Sequence, residues 1–395
     1  MKKFICLLLC IVMCGLCLVG CEDAQIGADL DDYKDEYKPE VRVPLSLNFY
    51  IITGDDTASN AISTVERMIN LRLKELYKTT LNINYVTADQ YAERVITASK
   101  STGEDRADIV LVAGYDMFNT LMSTKSLVNL NGFLNSTAFG KLDTDKMITS
   151  TILEASAVTE SVNGEMIPVH YVIPNNHVVG SYEYIMVDQN VAQIGLGYST
   201  EKIVSMTSLD NEHLVQLKAD LVTHRDALIA KGFDPDKCVV HIPSADYSAR
   251  TEYIDAGYIC NVVSVPVVDA QEAHKASFAI VKKADDDGSG KYADHYSRCM
   301  EVIYAFNADV ELRNLLQYGV ENTNYYSEKD ADGNIIKVTP VTKEENPKSV
   351  YQMDLLYTGP LFNAYYSDTY GWNSDVAAAG KLQNADSRLP ETSAE

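Results

Sequence analysis

Residues 162–195 read VNGEMIPVHYVIPNNHVVGSYEYIMVDQNVAQIG. Asn163-Gly164 is a dipeptide that favours a tight turn with positive φ. Pro168 and Pro174 each remove a backbone donor and push the preceding residue towards an extended conformation, so no helix runs through here. What remains is an extended connector. Ile185 to Val187 then reads as a buried strand, and Asp188 is placed to cap a short helix beginning near Asn190. This succession of turn, proline-marked crossing and apolar strand is what a chain shows where it leaves one lobe and enters another.

Upstream of this stretch, Leu45, Leu47, Phe49 and Ile51 alternate with Ser46, Asn48 and Tyr50, the period of a strand that ends at Thr53-Gly54-Asp55-Asp56. Ile62, Val65, Ile69, Leu73 and Leu76 form one stripe of an amphipathic helix opening near Asp56 or Ser59. Strands at 81–86 and 109–112 flank a helix at 88–100. The order β-α-β-α-β predicts a parallel sheet whose functional rim lies at the carboxyl ends of the strands. Thr53 to Asp56 and Gly114-Tyr115-Asp116 are two loops of that rim. Downstream, helical patterns over 209–231 alternate with strand-like segments at 238–242 and 258–265, which predicts a second, smaller α/β lobe. A strand at 277–281 precedes two helices, one with the stripe Tyr296, Cys299, Ile303 and Phe306, the other capped by Asn307 or Asp309. Gly319 stands where a left-handed C-terminal cap belongs. No internal repeat is present.

The chain has 395 residues, 46% of them hydrophobic, and a formal net charge of −23. Such a charge argues against nucleic-acid binding, which needs clustered Lys and Arg. Lys2 and Lys3 precede an apolar segment from Phe4 to Val19, the pattern of a secretory signal. The closing Leu18-Val19-Gly20-Cys21 resembles a lipobox, the motif of bacterial lipoproteins. The resemblance implies cleavage before Cys21, which would carry the lipid, and anchorage at the extracellular face of the cell membrane. Residues 21–40 are acidic and poor in aliphatics and read as a tether. Beyond Cys21 three cysteines remain, Cys238, Cys260 and Cys299, with no CxxC spacing. A Cys238–Cys260 bridge stays open, since both sit at strand-like segments.

Four stretches carry a further resemblance. Ala107-Asp108-Ile109-Val110-Leu111-Val112 with Gly114-Tyr115-Asp116 and Leu127-Val128-Asn129-Leu130-Asn131 is one. Asn163-Gly164-Glu165-Met166 through Val187-Asp188 is the second. Asp309-Val310-Glu311-Leu312-Arg313-Asn314-Leu315-Leu316-Gln317-Tyr318-Gly319 with Tyr325 or Tyr326 is the third and most specific, and Tyr351-Gln352-Met353 through Gly359 with Gly380-Lys381-Leu382-Gln383-Asn384 is the last. Together they resemble the extracellular solute-binding lipoproteins of ABC transporters, family 1 type, typical of Gram-positive bacteria. That resemblance implies an α/β, two-lobed, periplasmic-binding-protein-like fold of type II, a Venus flytrap with multiple hinge crossings. Its expected division is a signal at 1–20, a tether at 21–40, one lobe at 41–170 and 268–320, and the other at 171–267 and 321–395. Two departures stand out. The segment 180–265 is short for a family lobe, and Thr358-Gly359-Pro360 replaces the more usual Thr-Gly-Asn.

The function implied is capture of a small polar ligand, a sugar or oligosaccharide first, and its delivery to ABC permease subunits by a monomeric, membrane-tethered receptor. The expected ligand-binding residues are Asp55, Tyr115 and Asp116 on the rim, Asn175, Asn176 and His177 in the crossing, and Tyr366 and Trp372 in the aromatic tail. Each has a plainer reading. Asp116 would cap a helix over 117–121, the crossing amides would satisfy the connector's own backbone, and the tail aromatics would pack. Enzyme signatures such as GxSxG, HExxH and GxxxxGK[ST] are absent from the sequence, and its 7 histidines are dispersed. No cofactor, metal or catalytic group is expected. Asp285-Asp286-Asp287-Gly288-Ser289-Gly290 begins like a calcium loop, but Tyr296 stands where the closing Glu belongs, so a solvated acidic turn is expected. Asp330 to Asn334 reads as a hairpin turn. Two alternatives remain: a surface hydrolase using Asp55 and Asp116, and a sensor lipoprotein reporting to a kinase.

Overall fold

The computed structural model describes residues 42–136, 147–162 and 164–391. The leader, the tether, Cys21 and Asn163 lie outside the described residues. β1 (Leu45–Thr53), α1 (Ser59–Tyr77), β2 (Thr79–Thr87), α2 (Ala88–Lys100) and β3 (Ile109–Val112) follow the expected alternation. β1 pairs in parallel with β2 and with β3. Leu47, Phe49 and Ile51 are fully buried, and α1 lays Ala61, Val65, Ile69 and Leu73 on the sheet. α1 begins at Ser59, one of the two expected openings. Its N-cap is Ala58, and the Asp56 carboxylate pairs with Lys343 at 2.7 Å.

α3 (Tyr115–Ser123) leaves the end of β3, and a hairpin of β4 (Val158–Val162) and β5 (Glu165–Val169) follows. Val162 pairs with Glu165, so the turn falls at 163–164, where Gly164 has φ +85°. β6 (Ile173–Pro174) and β7 (Tyr182–Asp188) bracket the crossing. After β7, Asp188 accepts from the Asn190 and Val191 amides and opens a single turn of π-helix rather than an α-helix. Then come α4 (Glu212–Thr223), α5 (Arg225–Ala230), β8 (Val239–Ala245), α6 (Ala249–Asp255), β9 (Tyr258–Ser264) and β10 (Ser277–Ile280). α7 (Ala293–Ala308), α8 (Val310–Tyr318), β11 (Tyr325–Lys329), β12 (Ile335–Pro340) and α9 (Ser374–Asp386) complete the elements used below. Asp309 caps α8 by accepting from the Leu312 amide. Gly319 has the positive φ expected, +78°, but ψ is −142°, so the helix does not close with a left-handed residue.

Two bodies result. The first is built on the sheet β2-β1-β3-β10-β6, in which β10 runs antiparallel to β3 and β6. The second holds a wholly antiparallel sheet, β8-β7-β9. Its central strand is buried on both faces. Ile185 and Val187 pack under α4 and α5, while Tyr182, Tyr184 and Met186 face the other way. The lobe limits differ from those expected. Val172, Ile173 and Val179, together with Tyr351 and Met353, belong to the first core. β6 is hydrogen-bonded to β10 there, and Tyr351 donates its hydroxyl to the Leu316 carbonyl at 2.9 Å. Cys238 and Cys260 point to opposite faces of the small sheet and are both free thiols, which closes the question of a bridge. Burial pushes the Cys238 thiol up to about 12.

Candidate functional site

The crossing fixes where a ligand can sit. Ser277, at the start of β10, pairs with Val112 on one side and Pro174 on the other, so the chain leaves the first body at the carboxyl end of β3. In the second body Tyr182 pairs with Ala245 and Glu183 with Ser264. The ends of β8 and β9 therefore return to the same crossing. The chain comes back through 265–268, where the Val268 amide donates to the Arg388 carbonyl and the Arg388 amide to the Pro266 carbonyl. Strand ends from both bodies thus face one junction, the position where ligands bind in open α/β sheets and between domains.

Asn175, Asn176 and His177 are at most 2% exposed. Asn175 Nδ2 donates to the Leu356 carbonyl at 2.7 Å, and the Asn176 carbonyl accepts from the Leu361 amide at 2.7 Å. His177 Nδ1 lies 2.8 Å from the Asn175 carbonyl and Nε2 lies 3.2 Å from Glu272 Oε1. Backbone groups further along the connector are met from α9. Asn384 donates to the His177 carbonyl at 2.6 Å and accepts from the Val179 amide at 3.0 Å. Gln383 donates to the Val179 and Gly180 carbonyls, both at 2.9 Å, and its Oε1 accepts from the Tyr247 amide of the second body. One pair of amide side chains thereby ties the crossing to both bodies.

On the first body's rim, Asp55 is exposed in the turn after β1, and Tyr115 and Asp116 open α3. The structure brings these three to one edge. Asp116 lies within the first turn and not at the cap, which is Gly114. Tyr115 sits with Phe118 and His274 in an aromatic group with centroid separations of 6.2, 5.6 and 3.9 Å. Burial pushes the His274 imidazole below its ordinary range. The loop 350–357 covers the end of β1, since the Gly54 amide donates to the Gln352 carbonyl and the Ala58 amide to that of Val350. It presents Gln352 and Asp354 exposed and Tyr357 half-buried. The second body contributes Asp246, Tyr247 and Arg250, just past β8. The tail aromatics stand apart. Trp372 is 3% exposed and packs edge-on against Phe362 at 5.8 Å, and Tyr366 is half-buried beside the same cluster.

His274, Tyr247 and Arg250 had no sequence signal, and Gln352, Asp354 and Tyr357 were read only as part of the resemblance stretch from Tyr351 to Gly359. They lie in loops or at helix ends, where no hydrophobic period exists to read. Among the described residues no group of His, Cys, Asp and Glu could hold a metal ion, and no helix is long and apolar enough to cross a membrane. A polar cavity of about 310 Å³ lined by Arg106, Asp108 and Lys283 lies at the amino-terminal end of β3. That is the edge of the sheet away from the crossing. Its Asp108 is desolvated, yet hydrogen bonds from His295 and Lys283 outweigh burial and hold the carboxyl below its ordinary value.

The N-glycan transport solute binding protein NgtS of Streptococcus pneumoniae, in complex with Man1GlcNAc, matches this chain with a TM-score of 0.50 at 14% identity, over 87% of this chain and 84% of its own. A second NgtS structure matches with a TM-score of 0.50 at 15% identity, over 88% and 84%. This chain has the solute-binding-protein fold. No family model matches it, and no curated protein matches it.

The crossing carries a pH signature. Burial would raise Glu272, but hydrogen bonds from His177 and Lys275 outweigh it and hold the carboxyl at about 2. A carboxyl depressed in the fold contributes stability that is full above its unfolded value near 4.5 and is lost as pH falls towards about 2. Glu272→Gln is therefore expected to flatten the acid limb of the stability profile between those values, by on the order of 2 kcal/mol. Urea midpoints measured across that range check it, and an unchanged slope would refute the assignment.

Proposed function

We propose that the protein is a membrane-tethered receptor that captures a saccharide between its two bodies and delivers it to ABC permease subunits. The carrying observation is the convergence of strand ends from both bodies on one braced crossing. The rims there present tyrosines for stacking and carboxylates and amides for hydroxyl groups, the mixture that a polar, ring-shaped ligand requires. The fold shared with NgtS, described as an N-glycan transport protein, supports the reading. The lipobox at Cys21 supports attachment at the outer face of the membrane, and the lack of a catalytic motif in the sequence supports binding without turnover.

In this reading the bodies hinge at 174–181 and 265–268 and enclose the ligand. Closure is driven only by contacts the ligand makes in the closed form, because a ligand with equal affinity for both forms shifts nothing. Calorimetric titration with mono- and oligosaccharides, including mannose-N-acetylglucosamine compounds, tests it. Saturable binding is expected, weakened about tenfold by Tyr115→Ala through loss of a stacking face. If amino acids or peptides bind and saccharides do not, the ligand class is wrong.

A further inference from the structure

We propose that Arg250, held flat on Tyr247, is the second body's ligand grip, and that it takes a pair of adjacent oxygen acceptors on the saccharide. This deepens the receptor reading and rests on it. The Arg250 guanidinium carbon lies 3.6 Å from the Tyr247 ring centroid, a cation–π contact that positions the fork and leaves its nitrogens without a partner. Tyr247 is itself fixed, because its amide donates to Gln383 of the hinge brace. The stacked pair sits just beyond β8, at the rim that meets the crossing.

Arg250 is half-buried and stacked yet has no side-chain partner, whereas the other unpaired arginines among the described residues, Arg67 and Arg94, are exposed. The chain has 56 acidic residues against 33 lysines and arginines, so acceptors are plentiful. Yet among the described residues Arg250 has no ion pair and no hydrogen bond, and none of its nitrogens is sealed from solvent. Neighbouring carboxylates are engaged elsewhere. Asp246 Oδ1 accepts from the Ser248 hydroxyl at 2.6 Å and the Ala249 amide at 3.0 Å, and Asp386 Oδ2 accepts from the Tyr182 hydroxyl at 2.7 Å. Burial raises the Tyr182, Tyr184 and Cys260 groups, and the Arg250 charge opposes that rise, which places the charge over the tyrosine face of the small sheet. An oriented guanidinium without a counter-charge at a cleft rim is suited to bidentate recognition, and that geometry matches either two vicinal hydroxyls or a uronate carboxylate.

Calorimetry of the full chain with two probes separates the sources: mannosyl-N-acetylglucosamine for the hydroxyl pair and a glucuronate-ended disaccharide for the carboxylate. Arg250→Lys keeps the charge and removes the fork and the stack. The expected result is binding of at least one probe by the unaltered protein, weakened tenfold or more by Arg250→Lys with an unchanged unfolding midpoint. Tyr247→Leu is expected to weaken the same probe, and the double variant to lose less than the two losses combined. If the unaltered protein binds a probe and Arg250→Lys binds it equally, the grip is refuted while the receptor stands. If neither probe nor any saccharide of the wider panel binds, the receptor reading and the grip fall together.

Discussion

Gly359→Ala is expected to lower the unfolding free energy by about 3–5 kcal/mol. Gly359 has φ +119°, a conformation that residues with a Cβ rarely adopt, and an added Cβ would lie 2.7 Å from the Phe306 carbonyl oxygen and 3.2 Å from Arg313 Cγ. The obstructing atom is backbone at the end of α7, so a rotamer change cannot relieve it. Neighbouring contacts compound the effect. Thr358 donates its hydroxyl to Gln317 Oε1, and Arg313, fully buried and lowered to about 10 by desolvation, donates to the Leu355 carbonyl at 2.9 Å. Shifting the 355–360 loop would break these bonds in a region closed to water. Urea denaturation reads the change as a shift in midpoint at constant slope. Gly333→Ala is the control. Gly333 also has positive φ, +86°, but nothing lies within 4 Å of an added Cβ, so only about 1 kcal/mol is expected. Equal losses at the two positions would show that conformation, not the close approach to Phe306, sets the effect.

Asn384→Leu is expected to destabilise by about 3–4 kcal/mol, because it orphans two buried backbone groups at once, each at about 1–3 kcal/mol. The Asn384 amide side chain meets the Val179 amide and the His177 carbonyl, and Asn384 itself is 5% exposed. Leucine has nearly the same volume, so the effect isolates the hydrogen bonds from cavity formation. The loss should also be local. Hydrogen exchange at the Val179 amide is expected to accelerate well beyond that of β1 amides, since the crossing would open without global unfolding. A uniform acceleration across both bodies would refute the hinge-brace role.

The sheet of the first body was legible in sequence because its information is local. Alternation in β1, a three-four spacing in α1 and a continuous apolar run in β3 are each read within a single element. Register and direction were not. The antiparallel entry of β10 beside β3, and the antiparallel order of the second sheet, depend on partners far along the chain. The same limit misplaced the lobe boundaries, since Tyr351 and Met353 are drawn into the first core by contacts that no spacing encodes. The candidate site divides in the same way. Asp55, Tyr115 and Asp116 were readable because strand ends are readable. Asn175, Asn176 and His177 lie in the crossing, but their partners are distant in the chain, Leu356 and Leu361 for the asparagines and Asn384 of α9 for His177, some 200 residues later. Trp372 illustrates the ambiguity of aromatic clusters, which serve cores and binding surfaces alike, and here it packs. Arg250 carried no pattern at all, and what singles it out is its stack on Tyr247 in a half-buried place without a counter-charge.

Amide hydrogen exchange with and without a saturating saccharide tests the central claim most directly. The account predicts slowed exchange together at 113–118 and 350–357 on one rim, at 246–250 on the other, and at 174–181 in the crossing. Protection confined to one body, or absent from all four segments while the saccharide is bound, would contradict capture between the two bodies.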